Sequence, residues 1–204
     1  MFRLVLLSAP TALPDEPRLL TAVLGAGPET LHLRKPGWPV AQVESLIQAI
    51  PGQFHARLVL HGHPELVRHY GLGGLHLTGQ QRAATGRRPL LLPGQSLSTS
   101  FHSLAEISQH RRRYDYVFLS PIFDSISKPG YGSGFALPQL RAFFQRRAAQ
   151  AGYHAPVLAL GGIGAQNVQL VQQAGFAGAA VLGSLWQSPD PVAALVQLRA
   201  AGAV

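Results

Sequence analysis

The sequence predicts an α/β fold, a single (β/α)8 TIM barrel spanning residues 1–204. Three observations predict it. Eight short apolar runs alternate with longer stretches that suit amphipathic helices. Most of the runs are near-continuous Val and Leu without strict alternation, the pattern of parallel strands covered on both faces. The last two runs end in glycine-containing steps, Gly161-Gly162-Ile163-Gly164 and Gly183-Ser184, where a barrel exposes its strand ends. An open doubly wound sheet is the competing architecture.

Taken in order, the expected strands are Arg3–Ser8, Thr30–Arg34, Arg57–His61, Gly74–Leu77, Leu97–Phe101, Tyr116–Ser120, Val157–Leu160 and Ala179–Leu182. Helices are expected between them. Pro14–Leu24 and Pro39–Ala49 each begin at a proline, which suits a first helical turn. Pro64–Tyr70 stops at Gly71, a residue suited to helix ends. The segment after strand four, "TGQQRAATGRRP", holds one turn at most. His102–Arg112 follows Ser100 and carries Glu106 early. Leu137–Ala151 ends at Gly152 and Ala165–Ala174 at Gly175. Pro189–Ala201 follows Ser188, an expected N-cap.

Composition narrows the function classes. At 204 residues and 47% hydrophobic, the chain is long enough for one buried core. It contains no cysteine, which excludes disulfides, thiolate chemistry and Cys-type zinc sites and fits a reducing, cytoplasmic setting. The N-terminal apolar stretch Leu4–Leu7 is too short for a signal peptide, and no run approaches the roughly 18 apolar residues of a membrane span. Net charge is +8, with basic runs at Arg87-Arg88, Arg111-Arg112-Arg113 and Arg146-Arg147. No aromatic residues interleave with them, so a nucleic-acid platform is not the expected partner. A phosphorylated small molecule is, and a homodimer is compatible with the sequence.

Chemistry is expected at the strand ends. Glycines after strands seven and eight let backbone N–H groups approach a phosphate, which points to Gly161, Gly162, Ile163, Gly183 and Ser184. In "LHLRKPGW", His32 and Arg34 share the inward face of strand two, and an arginine in a barrel mouth calls for an anion. Lys35 follows as a second cation. His61, His63 and His76 lie at the ends of strands three and four, but their spacing matches no compact metal motif, so no metal ligands are assigned. Ser100 and Ser103 either meet a substrate or cap the next helix. The loop after strand six, "FLSPIFDSISKPGYGSGF", offers Ser125, Ser127 and Lys128 as a phosphate or pyrophosphate clamp.

These landmarks ("LHLRK", "GLHLTGQ", "SFHS", "YVFLSPIFDSISK", "LALGGI", "AAVLGSL") together resemble the thiamine phosphate synthases and their sister thiazole tautomerases. The resemblance implies a (β/α)8 barrel of thiamine biosynthesis. A synthase of this kind is a transferase that joins a pyrimidine pyrophosphate to a thiazole phosphate and releases pyrophosphate. It implies a thiazole phosphate on Gly161, Gly162, Ile163 and Ser184. It implies a hydroxyl-x-hydroxyl-Lys clamp at Ser125, Ser127 and Lys128, and a substrate contact at Ser100. The family's Gln-x-Arg-x-Lys pattern on strand two reads here with His32 for the Gln, Arg34 retained, and Pro36 at the lysine position beside Lys35.

The resemblance also implies magnesium, held by an aspartate in an Asn-Asp pattern after strand three and by another after strand four. Here those places read His61-Gly62 and Gly79-Gln80-Gln81, without an acid. Arg34, Lys35, Lys128 and a protonated His61 are the cations expected to carry the pyrophosphate charge instead. In the tautomerase branch an acid/base histidine ends strand six. Pro121 stands there, and His76 or His102, with pKa values near neutrality, would have to serve. Arg34, Lys128 and His76 are the expected catalytic residues. A paralogue that only binds a phosphorylated ligand is a further alternative.

Overall fold

The structure is a computed structural model that describes residues 2–27, 29–124 and 134–202. Eight strands close into a barrel in which each pairs with its neighbours in chain order. They are β1 (Arg3–Leu7), β2 (Thr30–Leu33), β3 (Leu58–His61), β4 (Gly74–Leu77), β5 (Ser96–Phe101), β6 (Tyr116–Leu119), β7 (Val157–Leu160) and β8 (Gly178–Val181). Every pairing is parallel, and β1 seals the barrel against β8 with Leu4 opposite Ala179 and Leu6 opposite Val181. The doubly wound alternative is thereby excluded.

The surrounding helices are α1 (Glu16–Ala26), α2 (Val40–Gln48), α3 (Pro64–His69), α4 (Gly79–Ala84), α5 (Leu104–Gln109), α6 (Leu137–Ala148), α7 (Val168–Gln173), α8 (Gly183–Trp186) and α9 (Pro191–Gly202). A 3-10 helix, Gly52–Arg57, precedes β3. Strands agree with the sequence-based expectation to within a residue at each end. Helices differ more. The segment after β4 forms the six-residue α4 because Thr78 and Gln81 make a reciprocal capping box. The start of α9 is capped by Asp190, whose carboxylate accepts from the Ala193 N–H at 3.0 Å. Ser188 lies two residues outside and accepts from the Asp190 N–H instead.

Strand alternation divides the core in two. Val5, Leu7, Tyr116, Phe118, Leu158 and Ala180 form the cluster within the barrel. Their neighbours, such as Leu4, Leu6, Leu31, Leu60 and Ala179, pack outward in the larger layer that includes helix residues Leu20, Ile47 and Leu195. Truncating any one of the leucines or Ile47 to alanine costs about 2–5 kcal/mol. The inner face is uneven in chemistry. Strands β6, β7, β8 and β1 fill it with apolar side chains, whereas β2, β4 and β5 contribute the buried polar residues His32, His76 and Ser98. That polar sector lies beneath the site described next.

The basic runs are partly tied to the barrel. Arg88 pairs with Asp115 at 3.2 Å, and Arg147 donates to the Ala155 carbonyl at 3.3 Å. Among the described residues no helix is long and apolar enough to cross a membrane.

Candidate active site

A cavity of about 390 Å³ opens at the C-terminal ends of the strands, where barrel enzymes hold their substrates. One wall is the pair of glycine steps. Gly161 and Gly162 have φ of +102° and +63°, and Gly162 needs to be glycine. A Cβ there would stand 2.3 Å from the Asp124 carbonyl oxygen, so the loop after β7 packs directly on the loop after β6. Asn167 fixes the same loop by accepting from the Gly164 N–H at 2.9 Å and donating to the Gly162 carbonyl at 2.8 Å.

Among the described residues, the N–H groups of Gly162, Ile163, Gly183 and Ser184 donate to no acceptor. Gly183 and Ser184 are the first residues of α8, so their free donors are those every helix leaves at its start. The Ser184 hydroxyl is already committed, donating to the Ile163 carbonyl at 2.8 Å. It ties the two glycine steps together and is not spare for a phosphate. The Trp186 indole donates to the Leu7 carbonyl at 2.6 Å, which anchors α8 on the rim.

Across the cavity is Arg34. Its backbone is held by Ser8, whose Oγ accepts from the Arg34 N–H at 2.9 Å. Its guanidinium has no ion pair among the described residues. Lys35 has a different place. Its ammonium is buried beneath the rim, where it pairs with Glu16 and donates to the carbonyls of Ala9 at 2.8 Å and Thr11 at 2.9 Å. Successive strand-end residues point to opposite faces, so Arg34 enters the mouth and Lys35 turns outward under α1. The expectation that Lys35 faces a pyrophosphate does not match that placement.

His61, His76 and Ser100 line the cavity, and His32 lies buried beside them. They form a connected polar sector. His76 Nδ1 is 2.8 Å from Ser98 Oγ and its Nε2 is 3.0 Å from Ser100 Oγ. His32 Nδ1 is 3.1 Å from His61 Nε2, and His32 Nε2 is 2.6 Å from the Tyr116 hydroxyl. Desolvation, reinforced by Arg34 and Arg82, pushes His76 down to about 3. Burial and the neighbouring histidines hold His32 and His61 well below the usual histidine value. The sector is therefore neutral at pH 7. This corrects two expectations: His61 is not a protonated substitute for a metal, and His76 is not an acid/base poised near neutrality.

Ser103 resolves as a cap, forming a capping box with Glu106 at the start of α5, which leaves Ser100 as the residue at the cavity. His102 also lines the cavity, with Nδ1 3.0 Å from the Ser120 carbonyl oxygen, so that nitrogen donates there. The clamp expected at Ser125, Ser127 and Lys128 lies outside the described residues. Among the lining residues without a role in the sequence reading are Thr78, whose T-x-x-Q pattern with Gln81 was the available signal, and Phe118, which inward alternation on β6 could have supplied.

With this geometry in place, the comparisons are decisive. Residues 4–185 match the family described as thiamine monophosphate synthase. The chain belongs to that family. A thiamine-phosphate synthase of Nitrosococcus oceani is 31% identical over 160 residues, covering 78% of this chain and 70% of that protein. One from Serratia proteamaculans is 29% identical over 188 residues, covering 90% and 86%. A crystal structure of thiamine phosphate pyrophosphorylase from Bacteroides thetaiotaomicron superposes with a TM-score of 0.81 at 30% identity, over 99% of this chain and 98% of that one. Thiamine biosynthesis and a transferase-type enzyme are the functions that this family membership supports.

Magnesium, the metal that the family resemblance implies, does not fit the residues present. None of the nine Asp and Glu residues lines the cavity. Gly62 and Gln81, which stand at the two expected acid positions, do adjoin: a Cβ on Gly62 would lie 2.7 Å from Gln81 Nε2. Gln81 Oε1, however, accepts from the Thr78 N–H at 3.0 Å, and the other nearby donors are imidazole nitrogens. A hard cation that prefers an octahedron of oxygens finds no such set here.

Proposed function

We propose that this chain couples a pyrimidine pyrophosphate to a thiazole phosphate, releasing pyrophosphate, and that it does so without a carboxylate-held magnesium ion. The thiazole phosphate belongs on the N–H groups of Gly162, Ile163, Gly183 and Ser184. The pyrophosphate belongs opposite, on Arg34, with Ser125, Ser127 and Lys128 as the further clamp suggested by the family pattern. The observation that carries this reading is a cavity that has, among the described residues, free backbone donors on one wall, an arginine without an ion pair on the other, and no carboxylate between. Such a cavity suits two anionic groups held apart. Preorganised donors of this kind stabilise a leaving group's developing charge by several kilocalories when water is excluded.

His76 fits a positioning role. As a neutral imidazole between Ser98 and Ser100 it fixes the Ser100 hydroxyl at the cavity wall. Incubating the protein with both substrates and following thiamine phosphate by chromatography tests the coupling. Product that requires both substrates supports it.

A second reading, proton transfer on a thiazole phosphate alone, is favoured by one observation, a histidine at the cavity, His102, whose ring is held through Nδ1 on the Ser120 carbonyl. Deuterium uptake from heavy water into thiazole phosphate, lost in His102→Gln, distinguishes it from coupling.

A further inference from the structure

We propose that His32, His61 and His76 form a three-histidine centre for one borderline divalent transition cation, zinc(II) foremost, with its open coordination position facing the substrate cavity. One ligand nitrogen from each histidine lies within 4.8 Å of the other two. Two imidazole nitrogens bound to one tetrahedral zinc at about 2.0–2.1 Å are about 3.3 Å apart. His32 Nδ1 and His61 Nε2 are already 3.1 Å apart. The His61 and His76 rings stack with centroids 4.1 Å apart and planes 23° from parallel, so bringing all three nitrogens onto one cation requires a turn of one of these rings as well as a closure of the separations.

The surroundings are those of a metal site as well. Metal-bound histidines hold their second ring N–H on a fixed acceptor, which sets the tautomer and aims the lone pair. His32 Nε2 has the Tyr116 hydroxyl at 2.6 Å, which leaves Nδ1 for a cation. His76 Nδ1 has Ser98 Oγ at 2.8 Å, so Nε2, which meets the Ser100 hydroxyl when no cation is bound, is the nitrogen that would ligate. Ser100 Oγ, 3.0 Å from that Nε2, borders the open side and is placed to hydrogen-bond a fourth ligand. Burial keeps the imidazoles neutral, the form that ligates.

The donor set decides the cation. Three nitrogens and no carboxylate suit zinc, cobalt, nickel or copper and disfavour magnesium and calcium. With no acid at the cavity, the ion keeps its full double charge, and Arg34 beside it adds another. The fourth position therefore selects an anionic oxygen, which in this cavity is a phosphate or pyrophosphate oxygen. The site does not depend on which reaction the cavity performs.

The test uses the full chain without a histidine tag, stripped with a chelator and titrated with cobalt(II). The expected result is a set of intense visible bands, characteristic of four- or five-coordinate cobalt, that saturates at one equivalent. Zinc(II) should abolish the bands and millimolar magnesium should not. Far-UV circular dichroism establishes that each variant is folded. His61→Gln, at the cavity wall, should remove the bands, as should His76→Gln. Ser98→Ala keeps all three ligands and should weaken affinity about 10–100-fold. His63→Gln, on an exposed side chain outside the cluster, should change nothing. The proposal is overturned if wild-type protein shows no saturable binding, or if binding survives His61→Gln and His76→Gln and disappears with His63→Gln.

Discussion

Lys35 and Glu16 form an ion pair sealed beneath the barrel rim, their side chains 1% and 4% exposed. Two adjacent cations of β2's end thus have opposite tasks. Arg34 is left to the cavity, and Lys35 pins the β1 loop to the start of α1 through Ala9, Thr11 and Glu16. Removing one member of such a pair strands a buried charge, which costs about 3–5 kcal/mol. Glu16→Ala should lower unfolding free energy in urea by that amount. A loss under about 1 kcal/mol, the size of an exposed pair, would contradict the buried placement.

Arg34→Ala should leave the urea midpoint nearly unchanged, because its guanidinium holds no ion pair among the described residues. Pyrophosphate binding measured by calorimetry should weaken about 10–100-fold, the worth of charge-assisted hydrogen bonds to one anion. Unchanged affinity would move the pyrophosphate away from β2.

At Gly162 the left-handed backbone and the close Asp124 carbonyl both oppose a side chain. Gly162→Ala should cost about 1–3 kcal/mol of stability and weaken thiazole phosphate binding. Gly25→Ala is the control, since it lies in α1 with nothing within 4 Å of a new Cβ, and it should gain about 0.4–1 kcal/mol. Equal effects of the two substitutions in urea would show that the β7 loop is not so constrained.

The histidine sector makes stability depend on pH. His76 is lowered to about 3, and His32 and His61 are lowered too. Between those folded values and the ordinary 6.5 of the unfolded chain, the unfolded state binds more protons. Stability is therefore full above about pH 6.5 and falls as the pH drops, by about 1.4 kcal/mol per pH unit for each histidine involved. Urea unfolding of chelator-treated protein at pH 7 and pH 5 should show the drop, and His61→Gln should reduce the slope. A flat profile over that range would mean that the sector is not desolvated.

Much of the fold was legible because parallel strands buried on both faces leave unmistakable apolar runs, from Arg3–Leu7 to Gly178–Val181. The glycine steps and Arg34 were legible for a similar reason: strand order alone brings them to one barrel end. α8 was not, since four residues, Gly183–Trp186, are too few to show helical period. Nor was the side of the wall that Lys35 takes, which depends on Glu16 arriving from α1. The three histidines fall on separate strands. Their convergence comes from the β2–β3 and β3–β4 registers, which set His61 directly opposite His76. Their desolvated, neutral state follows from the surrounding packing, which sequence spacing does not encode.

The most direct measurement is the initial rate of thiamine phosphate formation from the two substrates as magnesium is titrated from none to millimolar concentrations. The expected result is product that depends on both substrates, no saturable magnesium activation, and a rate that Arg34→Ala lowers about 10²–10³-fold, as for other preorganised donors to a developing charge. Tight, saturable activation by magnesium would contradict a cavity without a magnesium site, and absence of product under every condition would contradict coupling itself.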